Sequence, residues 1–312
     1  MTIEILAEHG KDDVATVFIG RTATGKLVEF AETFQPYLPI EKKWVIILSV
    51  MHGCPVGCLM CDAGTTFESN LSKEEIIDQL DYILTRKFPN KKIPVEKLKV
   101  QFTRMGEPSF NDAVIDVLEE LPKRYDAPGL LPCVSTIAPA GRKEFFERLF
   151  DVKDGHYKSG RFQLQFSIHT TDSTKRDELM PIKKLSFDEI AAYGEQFFKK
   201  GDRKITLNFA LMDGYPIDPH ILARHFRPEK FLVKITPLNP TTKARENNLK
   251  SVLGNGSNDN DNVNALVNQL TYLDFEVILS IGNTEENAIG SNCGQFISRQ
   301  NRYANYNSQD EV

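Results

Sequence analysis

A chain of 312 residues with 41% hydrophobic composition can bury one large core or two modest ones, and its formal net charge of −5 argues against a broad phosphate-gripping surface. Its longest strongly apolar stretch, Trp44 to Met51, is far too short to cross a bilayer, so no membrane partner is expected. Glu4, Glu8, Asp12 and Asp13 interrupt the first residues, which predicts no signal peptide and a cytoplasmic chain whose thiols stay reduced.

In chain order, Val14 to Ile19 and Lys26 to Glu32 predict a small hairpin around Ala23-Thr24-Gly25, and Trp44 to Val50 an apolar strand. Ser72 to Arg86 reads as a helix, with a Ser72/Glu75 capping box and a stripe of Ile76, Ile77, Leu80, Ile83 and Leu84. Strand Leu98 to Thr103 follows, then helix Asn111 to Leu121 with Pro122 expected to stop it. The rhythm continues with strand Leu131 to Ser135, helix Lys143 to Phe150, strand Phe162 to Ser167 and helix Phe187 to Lys199, capped by Ser186 with Glu189. Strand Ile205 to Leu211, a short helix near Pro219 to His225, strand Leu232 to Thr236, helix Val263 to Leu273 and strand Phe275 to Ser280 complete it. The run Leu253 to Asn262, rich in Gly, Asn and Asp, predicts a mobile loop.

Alternating strands and helices mean parallel strands with crossover helices. The predicted class is α/β, a partial or full (β/α) barrel with parallel strands and the site at their C-terminal mouth. The predicted organisation is a small β extension over residues 1–43, the barrel over 44–298 and a polar, disordered tail over 299–312.

Cys54, Cys58 and Cys61 follow the apolar strand directly, in the spacing C-x3-C-x2-C. A cubic iron-sulfur cluster normally takes four Cys ligands, so three from one loop leave one iron open to something else. An open iron implies chemistry. A zinc site would want a fourth ligand in paired C-x2-C style, and only His52 is close. Ordinary buried cysteines are the other alternative, disfavoured because three of the chain's five fall within eight positions. Gly106-Glu107-Pro108, Ser135-Thr136, Ser167-Ile168-His169 and Asn239-Pro240 also follow predicted strands, placing polar motifs on the same rim.

The cysteine spacing is that of the radical S-adenosyl-L-methionine (SAM) superfamily, although Met60 stands where an aromatic residue is common. With Met105-Gly106-Glu107-Pro108, Val134-Ser135-Thr136, Ser167-Ile168-His169, Leu238-Asn239-Pro240 and Asn292-Cys293-Gly294-Gln295, the chain resembles the class A radical SAM methyltransferases from about Val14 to Gln295. That family methylates an adenine carbon of 23S ribosomal RNA. The resemblance implies a radical SAM barrel and a 4Fe-4S cluster on Cys54, Cys58 and Cys61, with SAM chelating the open iron. An electron donor such as flavodoxin or ferredoxin would reduce the cluster, and SAM cleavage would give a 5′-deoxyadenosyl radical. Gly106 and Glu107 would hold the SAM amino end, Ser135, Ser167, Ile168 and His169 its methionyl and ribose parts, and Asn239 the sugar or adenine. The structural alternatives are a helix-leading Glu107, capping Ser135 and Ser167, and a satisfied interior His169.

Cys293 matches the family's methyl-carrying cysteine. Three departures stand beside it. The family's resolving cysteine, seven residues before the first cluster Cys, is here Ile47; its proton-accepting Glu aligns with Ala15; and the chain is expected to lack the family's N-terminal RNA-binding extension. Cys133, two residues before Ser135, is expected as interior filler in preference to a relocated resolving thiol. The sequence therefore predicts a divergent methyltransferase relative using Cys293 as methyl carrier or covalent anchor on a substrate other than intact rRNA. A non-methylating enzyme that abstracts hydrogen from a small molecule, nucleoside or peptide is the second reading, and a degenerate protein that binds cluster and SAM but modifies nothing is the third.

Overall fold

The computed structural model describes residues 2–34, 38–253, 261–282, 284–291 and 297. Two compact units divide the chain, one comprising the described residues of 1–57, 61–130 and 285–312, the other 58–60 and 131–284.

The first unit opens with an antiparallel meander of β1 (Glu4–Lys11), β2 (Ala15–Arg21) and β3 (Leu27–Phe34), on which β4 (Trp44–Leu48) also pairs antiparallel. Cross-strand partners Phe18 and Phe30 stack at 5.2 Å, and the burial of both rings fixes the register of this hairpin. A small ladder of β5 (Met51–Gly53) and β6 (Phe67–Asn70) follows β4. Helix α1 (Lys73–Lys87) begins at the expected capping box of Ser72 and Glu75 and buries Ile76, Ile77, Leu80, Ile83 and Leu84. It crosses over to β7 (Leu98–Phe102), which pairs parallel to β4. Helix α2 (Ala113–Arg124) corrects the sequence reading: Pro122 does not stop it, and the helix closes when Tyr125 N–H donates to Leu121 O at 3.1 Å. Pro122 lacks only the donor to Leu118, and that loss falls in the last turn, where it interrupts least.

The second unit is parallel throughout its main strands. Their order is β8 (Leu130–Thr136), β9 (Gln163–Ser167), β10 (Ile205–Leu211), β11 (Phe231–Pro237) and β12 (Glu276–Leu279). Crossovers are made by α3 (Lys143–His156), the pair α4 (Ser173–Leu179) and α5 (Phe187–Phe197), α6 (Pro219–His225), and the pair α7 (Thr242–Glu246) and α8 (Asp261–Tyr272). Ser186 and Glu189 cap α5 as expected, and Asp218 with Pro219 starts α6. Phe145, Phe166, Phe209, Phe226 and Phe231 fill its core. Helix α9 (Thr284–Ile289) leads the chain back to the first unit.

The α/β class, the parallel strands and the N-terminal hairpin are as the sequence predicts. Among the described residues no helix is long and apolar enough to cross a membrane. Most of the expected mobile loop, residues 254–260, and the whole of the expected tail lie outside the described residues.

Candidate active site

The cysteine loop is closed at its base. Gly53 has φ +83°, and a Cβ built there would lie 1.7 Å from Thr66 O, so only glycine fits. The same close approach lets Cys54 N–H donate to Thr66 O at 3.0 Å. Beneath it, the N–H groups of Val50 and Met51 both donate to Met105 O, at 2.8 and 3.1 Å. Asn111 clamps this turn by donating to Val50 O and Leu71 O at 2.7 and 2.8 Å. Gly106, with φ +104°, lets the chain pass Met51, whose Cγ a Cβ would meet at 2.6 Å.

The loop after β7 thereby reaches the first cysteine. Cys54 Sγ accepts N–H groups from Val56 and Glu107, and Cys61 Sγ accepts those of Ala63 and Gly64. Burial and the neighbouring Cys61 push the Cys54 thiol up to about 12, and burial pushes Cys61 up as well. A bare thiolate is disfavoured here, whereas one compensated by a bound cation would find backbone donors already aimed at it. Cys54, Cys58 and Cys61 are all half-buried. The donor chemistry fits a thiolate-ligated iron cluster, although among the described residues no three Cys, His, Asp or Glu side chains stand converged on one metal position. His52, the alternative fourth zinc ligand, is buried with Nδ1 3.0 Å from Leu27 O.

Glu107 is buried and leads a short 3₁₀ turn, its Oε1 accepting from Ser109 N–H and Oγ–H at 3.1 and 2.7 Å. The helix-leading role weighed from sequence is therefore real, and it orients the carboxylate. A carboxylate held in this way suits an ammonium ligand.

In the second unit Ser135 and Ser167 sit within β8 and β9, so neither caps a helix. Ser135 is level with Gln165, and Ser167 with Asn208. Ile168 and His169 both donate their N–H groups to Asn208 O, at 2.9 and 3.1 Å. His169 adopts φ +64° and accepts Ala210 N–H on Nδ1 at 3.1 Å, leaving Nε2 as its protonated nitrogen. Burial, and then the Arg176 charge, push its imidazole down to about 3, so it is neutral. Asn239 is half-buried at the end of β11, two residues before Thr241, whose hydroxyl donates to Met60 O at 2.8 Å. Leu59 N–H donates to Leu179 O, and Asn247 donates to Leu59 O, both at 2.9 Å. The Cys58–Met60 tripeptide is thus gripped beside the Asn239 turn.

A polar row in this unit was not anticipated. Asn208 Nδ2 donates to Gln165 Oε1 at 3.2 Å, Gln165 Nε2 donates to the sulfur of buried Cys133, and Lys234 is level with Asn208 on β11. Cys133 is interior, as expected, but it ends a chain of amides. Asn208 Oδ1 is buried with no donor among the described residues. The signal was present as Gln and Asn at strand positions where a barrel filled by packing alone would carry apolar residues. Cys293, with Asn292, Gly294 and Gln295, lies outside the described residues.

No family model matches the chain. Curated relatives do. The dual-specificity RNA methyltransferase RlmN of Anaeromyxobacter dehalogenans is 28% identical over 245 residues, 76% of this chain and 63% of its own length. The probable dual-specificity RNA methyltransferase RlmN of Endomicrobium trichonymphae is 30% identical over 266 residues, 77% of this chain and 72% of its own length. The chain thus spans just under two thirds of the first relative and more of the second. Among solved structures, a radical SAM methyltransferase from Sphaerobacter thermophilus matches 96% of this chain and 82% of its own, with TM-score 0.72 at 20% identity, which establishes a common fold.

Proposed function

The chain belongs to the RlmN family of class A radical SAM methyltransferases, which use a 4Fe-4S cluster and SAM, and on that premise we propose a methyl-transferring enzyme with Cys293 as methyl carrier or covalent anchor. Cys54, Cys58 and Cys61 would hold the cluster, and Gly106, Glu107, Ser135, Ser167, Ile168, His169 and Asn239 would hold SAM. When bound, the pair supplies a 5′-deoxyadenosyl radical for hydrogen abstraction.

The observation that carries this reading is the Glu107 N–H donated to Cys54 Sγ. It couples the strand-end motif expected to bind the SAM amino end to the first cluster ligand. Glu107's carboxylate, oriented by Ser109, would accept from the SAM ammonium, and the neutral His169 would offer Nε2–H to a ribose oxygen. Ile47, half-buried and paired with Ala31, offers no thiol to resolve an adduct. Together with the net charge of −5, this favours a substrate other than intact rRNA, served by a small reductant protein such as flavodoxin or ferredoxin.

Mass spectrometry of the anaerobically reconstituted protein after turnover with methyl-labelled SAM tests the proposal. A labelled methyl on Cys293 is expected, and replacing Cys54, Cys58 or Cys61 by Ala should abolish iron content and SAM cleavage together. Unmodified Cys293 alongside an unmethylated product would favour the second reading, direct hydrogen abstraction from a small polar molecule. The amide row of Asn208 and Gln165, with its unpaired Oδ1, supports that reading.

A further inference from the structure

The first unit contains an ion pair at full burial, Arg104 Nε to Glu29 Oε1 at 3.0 Å, with side chains 0% and 1% exposed. Burying two charges costs more than an apolar pair of similar volume would, so stability alone does not explain them. Their remaining atoms reach one distant stretch of chain. Arg104 Nη1 donates to Ser291 O at 2.6 Å and Nη2 to Gly290 O at 2.8 Å. Glu29 Oε2 accepts Ile297 N–H at 3.2 Å. Gly290 and Ser291 both donate N–H to Glu286 O, so the guanidinium also sits at the C-terminal end of α9, where a cation is favoured. Ile297 is buried in a cluster with Ile19, Ala63 and Met105, against which Cys54 and Cys61 also pack.

We infer that Glu29 and Arg104 are positioning residues that fasten the C-terminal segment at both ends, Gly290-Ser291 and Ile297, beside the cysteine loop. The five residues between these anchors carry Cys293, so the inference rests on the proposed role of that thiol. Anchors made once on folding need not be made again at each turnover. The planar guanidinium is what permits this. One fork spans two successive carbonyls while its third nitrogen faces the carboxylate, a geometry that a lysine cannot reproduce.

Arg104→Lys keeps the charge opposite Glu29 and loses the fork; Glu29→Leu with Arg104→Met removes the pair without leaving a lone buried charge. In both, amide exchange of the peptide around residues 284–299 should rise about tenfold or more while the strands of the meander keep their protection. Methyl transfer to Cys293 should fall about tenfold, with iron content and deoxyadenosine formation near wild type. Unchanged exchange in that peptide would overturn the tether, and faster exchange with undiminished Cys293 methylation would overturn the positioning role. If the wild type itself carries no methyl on Cys293, the carrier reading is what fails. The rate at which N-ethylmaleimide alkylates Cys293 then decides the inference: a change of about fivefold or more in the variants supports it, and an unchanged rate overturns it.

Discussion

At the scale of single residues, the site separates groups that are tied down from groups positioned for a ligand. Glu107 uses Oε1 on Ser109, so Glu107→Gln should keep the turn while losing the charge offered to the SAM ammonium. SAM affinity should fall by about 1.5–3 kcal/mol with the cluster retained, measured by anaerobic calorimetry and iron content. An unchanged affinity would confine Glu107 to capping. His169 behaves differently because its folded value, about 3, lies below the ordinary value near 6.5. Above about pH 6.5 both folded and unfolded forms are neutral and the full stability is present. As pH falls from there toward 3, the unfolded chain takes up a proton that the folded one refuses, eroding stability by up to about 1.4 kcal/mol per pH unit. Melting temperature between pH 7 and 4.5 should therefore fall more steeply in the wild type than in His169→Asn, which tolerates the left-handed backbone and lacks the proton site.

At the scale of elements, what the sequence revealed was local. Ser72 with Glu75 and Ser186 with Glu189 were readable because a capping box is complete within four residues. The cysteine spacing was readable for the same reason. Strand β1 was not, since as an edge strand it leaves alternate residues exposed and shows little apolar pattern. The β5–β6 ladder was missed because its three- and four-residue strands are shorter than any periodicity test can use. That ladder is nonetheless what shapes the cysteine loop. Gly53→Ala would drive a Cβ into Thr66 O and open the base of the loop, breaking the Cys54 N–H bond. A loss of about 2 kcal/mol or more in urea unfolding is expected, with weakened iron retention. Normal stability and iron content in this variant would mean that the loop does not depend on its closed base.

At the scale of the whole molecule, the class and the parallel strands followed from the alternating pattern, whereas the connections that build the site did not. Glu29 and Arg104 are 75 positions apart and of types usually found at the surface, and nothing local marks them as a buried pair reaching residues 290–297. Net charge, by contrast, is a whole-chain property and was readable from the start. It bears on substrate choice because affinity for RNA comes largely from neutralising phosphates and releasing their counterions. With 38 Lys and Arg against 43 Asp and Glu, the chain has no general surplus of cations to supply that term. Binding to a ribosomal RNA fragment should therefore be weaker than about 1 μM at physiological salt, fall steeply as salt rises, and differ little between sequences. Fluorescence anisotropy across a salt series, with a scrambled RNA alongside, measures all three. Tight, sequence-dependent binding at physiological salt would restore intact rRNA as the substrate, and would require a local basic surface strong enough to outweigh the acidic whole.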